Sequence, residues 1–276
     1  MRVTLNTAGQ PPSPLLHSLF HFRGYIFTNA LQDFLHRYTG TAMGLLWNAI
    51  HPIMMVIVFS VVFTFVIPSR FGMEGFAEVP FVVFLCSALL PWLCFVDALQ
   101  RATSCFVENA SYLRKLPIPE EVFLAKAVVG SSILLGVNLV ALVVTAVAFG
   151  VTPRASWLLV PLVGGMLMVL AFGLGALLGT VNVFARDVAQ ILSITTQLWM
   201  WLTPIVYSSQ AMPPGLRSLQ YANPMYPFVE LIRTQFLFGT AGALRFWLLA
   251  LAWMLLTVAA GSAMLRRFRS DLRDVL

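Results

Sequence analysis

Apolar residues fall in six long runs, at about 45–67, 79–99, 124–149, 156–181, 189–207 and 244–265, with polar residues gathered between them. Each run is close to the roughly 20 residues a helix needs to cross the hydrocarbon core of a bilayer. Backbone groups in lipid must be satisfied within the segment, so the runs predict helices. A barrel would alternate apolar and polar positions, and these runs do not. The expected fold is all-α and membrane-integral, with six transmembrane helices over 45–265.

Three stretches outside the runs add to this. Residues 18–38, SLFHFRGYIFTNALQDFLHRY, place Phe20, Phe27, Leu31, Phe34 and Tyr38 near a period of 3.6, opposite Arg23, Asn29, Gln32, Asp33, His36 and Arg37. This pattern predicts an amphipathic helix, over 18–44 at its widest, lying at the membrane interface. A helix docked on a soluble partner would show the same pattern. Residues 104–116 fit either a short charged helix that Pro117 and Pro119 stop or an ordinary solvated loop. After the fifth run, NPMYPFVELIRTQFLFG remains apolar but is too short to span, which predicts a re-entrant or interfacial helix between spans five and six. Glu230 and Arg233 there are three apart and would pair on one helix face.

Composition and charge sharpen the class. Of 276 residues 59% are apolar and 10% charged, and the mean hydropathy is +0.85, beyond what a soluble core of this size requires. The net charge of +6 reflects topology and does not call for nucleic acid as a partner. With the N-terminus cytoplasmic, twelve Lys and Arg lie inside (Arg2, Arg23, Arg37, Arg101, Arg114, Lys115, Lys126, Arg186, Arg266, Arg267, Arg269, Arg273) and five outside (Arg70, Arg154, Arg217, Arg233, Arg245). That bias puts both termini in the cytoplasm. Residues 1–17 read as a flexible, proline-rich N-terminus without the apolar core of a signal peptide, and 266–276 as a basic tail.

Candidate chemistry is sparse. Cys86, Cys94 and Cys105 have no ligand-like spacing with histidine, so no metal is expected. GLGALLG at 173–179 lies inside an apolar run, where Gly175 and Gly179 permit close helix packing. No Walker A motif is present, nor a Ser-His-Asp or paired-carboxylate constellation, so the chain is expected to carry no cofactor and to be no enzyme. Asn48 and His51 beside Pro52 suit helix contacts, and Asp97 the end of a span. The fifth run is more informative: Gln190, Ser193, Thr195, Thr196 and Gln197 favour a protein interior or a wet path, and Trp199, Trp201 and Tyr207 follow. With Trp47, Phe59, Phe63 and Phe65 of the first run, these rings suit the C–H faces of sugars. An aromatic belt at the membrane interface has the same composition; spacing favours the belt for Trp47 and Tyr207 and leaves the others open.

Several motifs resemble those of the type-2 ABC exporter permeases, and more narrowly of those that export O-antigen, capsular polysaccharide or teichoic acid. Arg37, Tyr38, Gly44, Trp47 and Pro52 match the approach to the first span, with Thr41 for serine and Met43 for leucine. Asn182, Arg186, Asp187, Gln197, Pro204, Ile205 and Tyr207 match around the fifth, and NPMYPFVELIR (223–233) and RKLPIPEEV (114–122) are similar to two further segments. The resemblance implies an inner-membrane homodimer of permeases with two ATP-binding subunits, which hold the ATP and Mg. It implies a path for lipid-linked glycan between the protomers, lined by Trp47, Phe59, Phe63, Gln197, Trp199, Trp201 and Tyr207. It also implies ATPase contacts in 18–38 and 104–121, among them Arg23, Arg37, Tyr112, Arg114 and Lys115. Arg186 and Asp187 would pair with each other or meet the substrate phosphate where it enters. A permease for a drug or simple lipid, a membrane-embedded glycan-modifying enzyme and a secondary transporter are the other classes compatible with this composition.

Overall fold

A computed structural model describes residues 15–36, 47–62 and 80–276. Arg37 and Phe63 lie outside the described residues, as does the side chain of Trp47. The helices are α1 (Leu15–His21), α2 (Arg23–His36), α3 (Trp47–Val61), α4 (Phe81–Glu108), α5 (Ala110–Lys115), α6 (Glu120–Ala148), α7 (Val160–Phe184), α8 (Val188–Leu202), α9 (Pro214–Leu219), α10 (Tyr226–Arg233), α11 (Leu244–Arg267) and α12 (Arg269–Val275). Among the described residues there is no strand. The chain is an all-α integral membrane protein.

Among the described residues four helices are long and apolar enough to cross a membrane: α4, α6, α7 with the 3₁₀ turn before it (Ala155–Phe184), and α11, of 24 to 30 residues each. At 1.5 Å per residue they reach about 36–45 Å. The other two expected spans are shorter. The described helix α3 has 15 residues, as does α8, or about 22 Å each. The expected fifth span to residue 207 is corrected to an end at Leu202. Thr203 precedes Pro204, and a residue before proline is driven out of the helical region; its φ and ψ are −92° and 137°.

Helix α7 is the spine of the bundle, and small residues let its neighbours close on two sides. A Cβ on Gly175 would stand 2.3 Å from the Ala102 Cβ of α4, and one on Gly179 2.9 Å from the Ala102 carbonyl. Toward α11, a Cβ on Gly173 would meet the Thr257 carbonyl carbon at 2.5 Å, and one on Gly261 the Gly173 oxygen at 2.4 Å. Such approaches supply the van der Waals contact that holds helices together in lipid. Helix α4 is the most enclosed: Phe84, Phe95, Ala98, Ala102 and Phe106 are completely buried against its neighbours. Several polar groups of α4 and α6 are paired across the bundle. Asp97 takes an ion pair from Arg101 at 3.0 Å and a hydrogen bond from Ser131 of α6, while Asn138 donates to the Cys94 sulfur.

The N-terminal amphipathic segment is two helices, and its buried face differs from the expected one. Ile26, Ala30 and Phe34 are buried on α6, where Lys126 pairs with Asp33 at 2.7 Å. Phe20, Phe27 and Leu31 are exposed. Period 3.6 admits two adjacent apolar stripes on one helix, and packing chose the one with the small Ala30 at its centre. The short charged helix is confined to α5, because α4 continues to Glu108 before Asn109 turns its amide onto the Cys105 carbonyl.

Candidate functional site

The centre of interest is α8 with its broken end. One side of α8 is packed: Leu192 and Thr196 are buried, and Trp199 is wedged edge-on between Trp92 and Phe95 of α4, with ring centroids 5.6 and 5.5 Å away. The indole N–H of Trp199 donates to Asn223 Oδ1 at 2.9 Å. The other side is open. Gln190, Ile191, Ile194, Thr195, Gln197, Leu198, Trp201 and Leu202 form one exposed stripe at helical spacing. Two residues apart on a helix point about 200° apart, so Trp199 and Trp201 have opposite surroundings. Trp201 is 51% exposed and meets Phe59 of α3 edge to face at 6.1 Å. The hydroxyl of the half-buried Tyr207 donates to the Trp201 carbonyl at 2.7 Å.

Beyond Leu202 the chain runs as non-helical backbone to Ser208, which would leave carbonyls unpaired. Side chains from the segment that follows supply the donors. Gln220 donates to the Leu202 carbonyl, and Asn223 to the Thr203 hydroxyl. Arg233 donates to the carbonyls of Pro204 at 2.6 Å, Ile205 at 2.5 Å and Tyr207 at 3.4 Å, with its guanidinium 3.9 Å over the Phe84 ring. The expected Glu230–Arg233 pair is therefore corrected: Arg233 is 2% exposed and turned onto backbone. Sequence reasoning missed this role, although a helix-breaking Pro204 and an arginine in an apolar run were both visible.

Helix α10, expected as re-entrant or interfacial, is enclosed by α4, α7 and α11. Tyr226 to Val229 and Leu231 to Arg233 are buried. A π-turn, Thr234–Phe238, continues it, and Gly239 ends it at φ 74°. The loop before α7 caps that turn: Arg154 donates to the Leu237 carbonyl, Ser156 to Gln235 and Trp157 to Phe236. The Trp157 ring also stacks on Phe236 at 4.2 Å.

The charged candidates lie at the opposite end of the bundle. On α5, Leu113 is buried while Tyr112, Arg114 and Lys115 are exposed. Arg23 is exposed over the Phe20 ring at 4.1 Å. Arg186 and Asp187 are both exposed in the α7–α8 turn, and no ion pair joins them. Asn182 holds this turn by donating to the Thr103 carbonyl of α4 and accepting from the Ala189 amide of α8. The structure thus brings Phe59, Trp201 and Tyr207 together, turns Trp199 inward and leaves Gln197 exposed on the open stripe beside Trp201. Among the described residues no group of three His, Cys, Asp or Glu side chains is placed to hold a metal.

Comparison with known proteins adds the lineage. The chain is 25% identical over 261 residues to the O-antigen export system permease protein RfbA of Klebsiella pneumoniae, covering 92% of this chain and 96% of that one. It is 28% identical over 213 residues to the protein of the same description from Myxococcus xanthus, covering 76% and 79%. It is 21% identical over 204 residues to the polysialic acid transport protein KpsM of Escherichia coli, covering 74% and 77%. Residues 25–237 match the ABC-2 type transporter family, which takes in α8, its broken end and α10, so the chain belongs to that family.

Proposed function

We propose that this chain is the transmembrane permease subunit of an ATP-driven exporter that carries lipid-linked polysaccharide across the bacterial inner membrane. The observation that carries it is the contrast between exposed faces. The exposed positions of α6 from Gly136 to Ala148 and of α11 from Leu248 to Ala263 are all apolar, as lipid-facing helices require. The exposed stripe of α8 includes Gln190, Thr195 and Gln197, and neither glutamine amide has a partner among the described residues. An unpartnered amide among acyl chains costs several kcal/mol. This stripe therefore belongs on a polar path, with α3 and Trp201 beside it, against a second copy of the chain. The relatives described as an O-antigen export system permease and a polysialic acid transport protein support a glycan as the cargo. The aromatic groups supply faces for sugar rings and the glutamines supply hydrogen bonds, so a polymer can slide past without one tight site.

In this arrangement both termini are cytoplasmic and two ATP-binding subunits, holding ATP and Mg, dock at the α5 end. Tyr112, Arg114 and Lys115 of α5 meet them, together with Arg23 and Arg37. Arg186 and Asp187 stand where the lipid-linked phosphate enters, and Trp47 and Phe63 extend the path with Phe59 and Tyr207, while Trp199 packs behind it against α4. The test uses a cysteine at Gln197 in a chain whose native Cys86, Cys94 and Cys105 are buried. Crosslinking between two copies in vesicles, lost when lipid-linked glycan occupies the path, is expected. A cysteine at Leu255 on α11 should not crosslink. Crosslinking at α11 with none at α8, or transport of small amphiphiles in place of glycan, would overturn the proposal.

A further inference from the structure

The C-terminal segment, expected as a basic tail, ends in the helix α12, whose arginines reach the first turn of α6. Two carboxylates there, Glu120 and Glu121, are 1% and 2% exposed. Arg269 reaches both: its Nε stands 2.9 Å from Glu120 Oε2, a close but poorly aligned ion pair, and its Nη2 donates to Glu121 Oε2 at 2.5 Å. Arg273 donates from Nε to Glu120 Oε1 at 2.6 Å and from Nη2 to the Ile118 carbonyl at 3.1 Å. Buried Leu272 seats the helix between these two arginines.

Ile118 lies between Pro117 and Pro119 in the four-residue connection from α5 to α6. Proline fixes φ, so this connection has little freedom to absorb a displacement of α5. The clamp makes it stiffer and extends its reach. Through α12 the α5–α6 corner is tied to α11, which packs along α7, and the Phe268 ring at the α11–α12 junction meets Phe184 at the end of α7. We infer that Arg269 and Arg273 are positioning residues: they lock the α5–α6 corner to α11 so that a displacement received at α5 moves both sides of the bundle together. This rests on reading α5 as the surface that meets the ATP-hydrolysing subunit. A surface ion pair would contribute little, but two adjacent carboxylates buried without their arginines cannot keep this corner in place.

The experiment uses the complete permease–ATPase complex in vesicles and reads glycan exported per ATP hydrolysed, a ratio that a merely stabilising contact would not move in assembled complex. In Arg269→Gln/Arg273→Gln the ATPase is expected to co-purify and hydrolyse ATP within about twofold of normal while the ratio falls about tenfold. Arg273→Lys, which keeps a charge on Glu120, should recover most of it. An unchanged ratio in assembled double variant overturns the inference. If the double variant does not assemble, Arg273→Gln alone, which leaves Arg269 on both carboxylates, is expected to lower the ratio about threefold, and no change there overturns it equally. Charge reversal of Arg114 and Lys115 tests the underlying reading separately, because it acts on ATPase binding: full binding in that variant removes α5 as the docking surface whatever α12 does.

Discussion

Trp199 and Trp201 have the same side chain on the same helix and opposite physics. Trp199 fills a slot between Trp92 and Phe95 and donates to Asn223. Its replacement by alanine should lower stability by about 3–5 kcal/mol, and Trp199→Phe by about 1–2 kcal/mol through the lost hydrogen bond. Thermal unfolding in detergent measures both. Trp201 is half exposed with one edge contact to Phe59, so Trp201→Ala should leave unfolding within about 1 kcal/mol. Export is where it should show: losing one ring contact of about 1 kcal/mol slows glycan passage about fivefold. Equal effects of the two alanines on stability would contradict this division.

At the scale of elements, the organising problem is two helices that stop within the bundle. Helix α8 ends at Leu202, with Thr203 extended before Pro204, and α10 ends in the π-turn at Gly239. Each leaves carbonyls that only side chains from elsewhere can satisfy: Arg233 for the first, and Arg154, Ser156 and Trp157 for the second. Arg233→Met keeps the bulk and removes the donors, which should cost about 3–5 kcal/mol, because several carbonyls lose their partners together. Arg233→Lys presents a single rotating donor group in place of a planar fork, so it should recover less than half of that loss. Unfolding transitions of the two variants check the order. If methionine and lysine stand level with the parent, Arg233 does not hold the broken end.

Across the whole molecule, α7 sits between α4 and α11 by using glycine on both sides. Gly173→Ala should cost about 1–3 kcal/mol, since the new carbon would meet α11 backbone that cannot swing aside. Gly165→Ala, on the same helix with nothing within 4 Å, should change stability by less than about 0.5 kcal/mol. Detergent unfolding of the pair separates packing from any general effect of losing a helical glycine; a neutral Gly173→Ala would mean that the helices stand further apart. The same whole-molecule view separates α6 and α11, whose exposed positions over 136–148 and 248–263 are apolar, from α8, whose exposed stripe carries glutamines, a distinction that no single helix carries.

Much of this organisation was legible from the residues in order. The runs marked α4, α6, α7 and α11 as long apolar helices, because transfer into lipid is a sum over neighbouring side chains. Pro117 and Pro119 marked the end of α5, and the glycines of α7 marked close packing. What could not be read this way were partnerships between distant positions: Arg233 with carbonyls 26 to 29 residues back, Arg154 with one 83 residues on, and Arg273 with Glu120 across 153. Nor could the stripe of α2 that faces α6, or the tryptophan of α8 that faces inward. Hydropathy and period reflect each residue's own preference, whereas a partner is set by which segments the fold brings within hydrogen-bonding distance.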